Sequence, residues 1–175
     1  APITLPLGPR ACSEPTDAPG GWLEVHVRVC AKVHVVVQSA EGLPATGGPL
    51  KPFVNLHMTN EARHDAPLGN TGIKEGAKPE WGDRFAIVVP LLCPIGDLVL
   101  ELCSKKQGFV SSSDEFLGAC ELSRGQLLTA GVHELSLSLG PRKYPKGRKE
   151  TPEDRKARGK LRCMVEVAPA IARHL

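Results

Sequence analysis

Histidine, cysteine, serine and carboxylate side chains are the groups that could do chemistry in this chain, and their spacing decides which chemistry is open to them. Six histidines, His26, His34, His57, His64, His133 and His174, are scattered along the sequence. None falls into a His-x-x-x-His or His-Glu-x-x-His pair and no Cys-x-x-Cys accompanies them, so the ligand spacing that holds zinc is missing. Cys103 and Ser104, the nucleophile candidates, have no base at a fixed spacing. Neither a Gly-x-Ser-x-Gly elbow nor a Gly-Lys-(Ser/Thr) phosphate loop occurs; GPLKP, residues 48–52, lacks that ending. The residue types point away from catalysis, and no cofactor is expected.

Charge is distributed more tellingly. LPATGGPLKPFVNLHM, residues 43–58, sets a Gly, Pro and Thr loop between two strand-like runs and carries a lysine but no acid. KKQGFVSSS, residues 105–113, is likewise without an acid. SSSDE, residues 111–115, places Asp114 and Glu115 three residues after Ser111 and Ser112, a spacing that acidophilic kinases accept and that any soluble loop tip also shows. PRKYPKGRKETPEDRKARGK, residues 141–160, holds nine Lys or Arg against three acids, a local +6 in a chain of total +3, so all other residues together sum to −3.

That segment supplies the candidate contacts for an anionic partner: Arg142, Lys143, Lys146, Arg148, Lys149, Arg155, Lys156, Arg158 and Lys160. A solvated loop needs no partner at all. An anionic membrane surface would be attracted by about 1 kcal/mol per well-placed cation at low salt. Nucleic acid is not expected, because Tyr144 is the only aromatic in the segment and single strands are held by stacking.

The elements that must position these groups are strands. With 175 residues, 41% hydrophobic, 23% charged and only 4% aromatic, the chain has room for one well-buried domain with an aliphatic core. Period-two alternation recurs in WLEVHVRV, KVHVVVQSA, FVNLHM, RFAIVV, LVLELC, FLGACEL, VHELSLSL and KLRCMVEV, the last with Leu161, Cys163, Val165 and Val167 inward. SRGQLLTA, residues 123–130, could make one or two helical turns. Eight short strands between Gly and Pro loops read as an all-β, eight-stranded antiparallel β-sandwich.

Residues 1–20, with five prolines and no periodicity, read as a Pro-rich linker or N-terminal extension, and residues 21–170 as the sandwich with the basic insertion at 141–160. The chain opens on Ala1 with too little continuous apolar sequence for a signal peptide or a membrane span, and is expected to be cut from a longer protein. Cys12, Cys30, Cys93, Cys103, Cys120 and Cys163 mostly sit in apolar runs, where a thiol behaves as a small hydrophobe. A reducing, cytoplasmic compartment is expected, peripheral to membrane or cytoskeleton.

TGIKEGAKPEWGDRF, residues 71–85, resembles the Asn-Pro-x-Trp-(Asn/Gly)-(Glu/Asp)-x-Phe signature of the C2 domain family at Pro79, Trp81, Asp83 and Phe85, with Lys78 in place of Asn. Pro79 would fix the turn, and Trp81 and Phe85 would anchor the loop on the core. VHVVVQSAEGLP resembles the strand that opens the family's first loop, KPFVNL its Asp-Pro-Tyr-Val element, and DEFLGACEL its Asp-Asp-x-(Ile/Leu)-Gly strand. The resemblance spans roughly residues 22–168 and, with a strand ahead of KVHVVV, implies a type I-like strand order.

In calcium-binding members of that family, acids from two loops surround the ions, because a hard divalent cation takes about six to eight oxygens. Carried onto this chain, those positions fall at Ala45, Lys51, Ser104, Lys106 and Glu115. Two are ammonium groups, which donate hydrogen bonds and cannot ligate a cation. The family's phosphoinositide groove, carried over in the same way, falls at Asn55, His57, Gly69 and Thr71, none a fixed cation. The resemblance therefore implies a non-catalytic module without metal, calcium-independent, acting in protein interaction or scaffolding inside a multi-component assembly. The alternative is a peripheral membrane-targeting module that binds anionic phospholipid through its basic loops.

Overall fold

The structure, a computed structural model, describes residues 3–6, 22–25, 30–44, 48–59, 66–90, 96–105, 114–142, 152 and 154–168. Strands dominate it because alternating aliphatic residues can bury one side of a pleated ribbon and wet the other. Two four-stranded sheets carry the fold. The first runs in the order β6 (Glu80–Pro90), β3 (Cys30–Glu41), β10 (Lys160–Val167), β9 (Gly131–Ser138). The second runs β5 (Ala66–Asn70), β4 (Pro52–Met58), β7 (Leu98–Ser104), β8 (Glu115–Leu122). Every paired strand is antiparallel to its neighbour.

The inward faces fuse into one aliphatic core. Val33, Val35 and Val37 of β3 and Leu161, Cys163, Val165 and Val167 of β10 pack with Val54 and Leu56 of β4 and Leu98, Leu100 and Leu102 of β7. A short helix, α1 (Arg124–Leu128), adds the fully buried Leu127 to that core. Its start is fixed by a capping box in which the Gln126 amide donates to the Ser123 hydroxyl and the Ser123 amide donates to Gln126 Oε1.

One expected strand lies elsewhere. Trp22–Val25, β2, pairs with Ile3–Pro6, β1, in a separate antiparallel two-stranded ribbon, so a strand lies within residues 1–20 and Trp22–Val25 joins neither sandwich sheet, the rest of WLEVHVRV lying outside the described residues. The eighth sandwich strand is β5, APLGN. The type I-like order does not hold either: it needs a strand ahead of β3 in the first sheet, and the place beside β3 is taken by the last strand, β10. The long register of β10 with β3, from Lys160 opposite Glu41 to Val167 opposite Val33, is what fills that place.

The basic segment leaves the sandwich at a closed base. The Leu139 amide donates to the Gly159 carbonyl at 2.9 Å, and Gly140 and Ala119 exchange two backbone hydrogen bonds of 2.9 Å, which covers the outer edge of β8. Gly118 permits this approach, since a Cβ there would stand 2.8 Å from the Leu139 Cβ.

Candidate functional site

The loop end of the sandwich gathers three of the five positions that the calcium comparison singled out. Ser104 ends β7 directly opposite Pro52 in β4 and Glu115 in β8. The Lys51 amide donates to the buried Ser104 hydroxyl at 3.0 Å, and the Lys105 amide donates to the Lys51 carbonyl at 3.0 Å. Lys51 Nζ stands 3.8 Å from Glu75 Oε1. Lys105 Nζ stands 3.2 Å from Asp114 Oδ1 and 6.0 Å from the centre of the Phe53 ring. Glu75 and Asp114 are thus each paired with a lysine, and Glu115 sits half-buried next to the Asp114 pair. Among the described residues no group of three or more His, Cys, Asp or Glu could hold a metal ion. Ala45 and Lys106 lie outside the described residues.

Next to this end, the signature segment closes on a single residue, Gly72. The Trp81 indole donates to the Gly72 carbonyl at 2.8 Å, and Asp83 Oδ2 accepts from the Gly72 amide at 2.8 Å. Thr71, one residue earlier, is buried with its hydroxyl accepting the Val54 amide at 2.9 Å. Pro79 is buried and its carbonyl accepts the Ala40 amide, while Trp81 and Phe85, both half-buried, pack against the main core. The carried-over groove positions do not converge on one surface: Thr71 is turned inward, Gly69 pairs with Leu56, and the Asn55 amide side chain donates to Cys103 Sγ at 3.9 Å.

The outer face of the second sheet holds what sequence reasoning missed. A bulge between Leu102 and Cys103 pairs Cys103 with Phe116 and leaves Leu117 as the additional residue, so Leu117 points into the main core while Phe116 and Ala119 face outward. With Phe53 and Cys103 they make a second buried cluster, separate from the first, against which Ala157 packs. Arg142 lies on top of it: its guanidinium is 4.1 Å from the Phe116 ring centre and grips Glu101 through Nε at 2.8 Å and a terminal nitrogen at 3.5 Å. The one signal in the sequence was Glu101 itself, a carboxylate inside the apolar run LVLELC on a strand flanked on both sides.

The candidate contacts for an anionic partner therefore divide. Arg142 is spent on this chain's own carboxylate and ring. Arg155, Lys156, Arg158 and Lys160 are all exposed at the surface, and Lys143, Lys146, Arg148 and Lys149 lie outside the described residues. Cys103 is no ready nucleophile: its thiol is pushed up to about 12 by burial, and further by the Glu101 charge against the opposing pull of Arg142. Burial likewise raises Cys120 to about 12 and Cys163 to about 11. No helix among the described residues is long and apolar enough to cross a membrane.

Comparison with known proteins agrees with this architecture. The family model described as "C2 domain" matches residues 31–139, more than half of the chain. A C2 domain of a plant extended synaptotagmin 1 aligns with a TM-score of 0.58 and 23% identity, covering 82% of this chain and 98% of that one. A structure described only as a C2 domain gives 0.55 and 20%, covering 79% and 99%. Human GIVD cytosolic phospholipase A2 gives 0.53 and 16%, with 84% of this chain on 16% of the enzyme. No curated protein matches the sequence. The buried Pro79, the Gly72 clamp made by Trp81 and Asp83, the two four-stranded sheets and the family match come together in one statement: the chain belongs to the C2 domain family.

Proposed function

We propose that this C2 domain, one of a family of modules for protein or lipid interaction, is a non-catalytic, calcium-independent module that acts in protein interaction or scaffolding within a larger cytoplasmic protein. The observation that carries the reading is the loop end, where Lys51 pairs with Glu75 and Lys105 pairs with Asp114. A divalent cation arriving there meets two ammonium groups and finds Glu115 as the one described carboxylate that no lysine pairs with, so it must displace a lysine to gain a second carboxylate. Hard cations need several oxygens carrying net negative charge, and here two of the three described carboxylates are already paired with lysines. Partner binding then draws on exposed strand faces and loop ends, and a protein partner within a multi-component assembly fits them.

Thermal melts in millimolar calcium and in chelator test the reading. A ligand that binds only the folded state stabilises it by RT ln(1 + [L]/Kd), about 2.7 kcal/mol at a hundredfold excess over Kd. The two melts coincide if the reading is right, and a calcium-dependent rise of several degrees overturns it.

A second reading, contact with an anionic membrane surface, is favoured by one observation: Arg155, Lys156, Arg158 and Lys160 all reach the surface within six residues of one another. Replacing these four with Ser leaves the fold intact, since surface positions away from buried contacts change stability by roughly 0.5 kcal/mol or less. Under the membrane reading, binding to anionic vesicles falls and loses its salt dependence. Under the scaffold reading, capture of the protein partner survives the same change.

A further inference from the structure

The outer face of the second sheet is closed by the chain itself, and the closure has the parts of a releasable cover. Two arms lie over it, Leu139–Arg142 and Asp154–Gly159, joined at their base by the hydrogen bond from the Leu139 amide to the Gly159 carbonyl at 2.9 Å. The first arm presses Arg142 onto Phe116 and Glu101; the second contributes Ala157 to the same apolar cluster. Beneath them Phe53, Cys103, Phe116 and Ala119 are all less than a tenth exposed, although they stand on the outward side of their strands. Something has to keep water off that side, and these arms do.

Three features make the cover separable from the rest of the fold. The cluster under it shares no residue with the main core, so uncovering it leaves the inner faces of both sheets packed. Leu139, where the first arm starts, belongs to the main core and is the fixed end of the cover; beyond it the arms are held by the backbone bonds between Gly140 and Ala119, by Arg142 on Glu101 and Phe116, and by Ala157 on the apolar cluster. The holding pair is reached by solvent, with 31% of the Arg142 side chain and 19% of the Glu101 side chain exposed.

We propose that the Arg142–Glu101 pair on Phe116 is the latch of a cover that opens as a unit, exposing the apolar face of Phe53, Cys103, Phe116 and Ala119 while the sandwich stays folded. An arginine suits that role, because its planar fork can hold a carboxylate edge-on while its face stacks on a ring, which a lysine cannot do. The net positive charge of the segment that the arms begin and end supplies a reason to open, since an anionic surface or chain pulls on both arms at once.

Cys103 reports on the cover, and Cys120 and Cys163, which belong to the main core, report on the sandwich. Maleimide labelling of the whole chain, read cysteine by cysteine by peptide mass spectrometry, therefore separates local opening from unfolding. In Arg142→Ala and in Glu101→Gln, Cys103 should label about tenfold faster or more, the scale of losing one charge-assisted hydrogen bond, with Cys120 and Cys163 as slow as in the parent. Ala157→Asp, which forces a charge into the contact of the other arm, should do the same without touching the latch. A Cys103 rate that stays at the parent value in these variants overturns the proposal. So does a rise in which all three cysteines move together, because the face then opens only when the sandwich does.

Discussion

At the scale of single residues, one glycine, Gly72, explains why Trp81 and Asp83 stand two apart. Both reach back to Gly72, the indole donating to its carbonyl and the carboxylate accepting from its amide, so side chains close the loop that the Lys74 and Gly76 amides also tie to the Pro52 and Leu50 carbonyls. Trp81→Ala removes a half-buried ring from the edge of the main core together with a hydrogen bond, and should cost about 3 kcal/mol in denaturant unfolding, the low end of the range for large aromatics. Trp81→Phe keeps most of the ring contact and should cost only about 1 kcal/mol, the share of the hydrogen bond. Equal losses for the two variants would remove the clamp from the account. Buried thiols give a second prediction at this scale. In the folded state Cys103 and Cys120 stay protonated up to about 12 and Cys163 up to about 11, against an ordinary value of 9.0. Above about pH 9 the unfolded chain therefore binds fewer protons than the folded one, and stability that is fully present below that pH falls as pH rises toward 11 or 12, by about 1.4 kcal/mol per pH unit for each thiol. Cys163→Ala should flatten the fall of unfolding free energy between about pH 9 and 11 by one thiol's share; an unchanged slope contradicts the assignment.

At the scale of elements, packing decides what alternation alone leaves open. Leu127 anchors α1 on the core although the helix is only five residues long, so Leu127→Ala should destabilise by about 3 kcal/mol. Ser123→Ala, which breaks the capping box, should cost about 1 kcal/mol. A smaller loss for Leu127 than for Ser123 in the same unfolding experiment would mean that the helix is held by its cap and not by its contact. The inward residues of β3, β7 and β10 were legible from their period of two, because a sheet buried on one side imposes that period directly. β5 was not. APLGN has neither alternation nor β-branched residues, and it is a strand because β4 pairs with it through a register shift between Leu56 and His57. WLEVHVRV failed in the opposite sense: its alternation was real, yet alternation names no partner, and Trp22–Val25 pairs with Ile3–Pro6. The loop-end positions Lys51, Ser104 and Glu115 were legible from the order of motifs, whereas the grip of Arg142 on Glu101 was hidden by a sequence separation of 41 and by a bulge that turns Phe116 outward.

For the whole molecule, the arrangement of charge sets what can approach. The loop end carries lysines that hold its neighbouring carboxylates, and one stretch beside β10 keeps four cations at the surface, in a chain whose remaining sequence is net negative. On the proposed reading, such a molecule meets an anionic partner without calcium. Salt should weaken any such contact, because exposed charges beyond a Debye length of about 8 Å at physiological ionic strength are screened. Vesicle flotation with anionic lipid, run side by side in millimolar calcium and in chelator, is the most direct test of calcium independence. The same fraction of protein should float in both, whether that fraction is large or near zero. A fraction that climbs when calcium is added would mean that the loop end gathers enough oxygens to hold the ion, and would contradict the account.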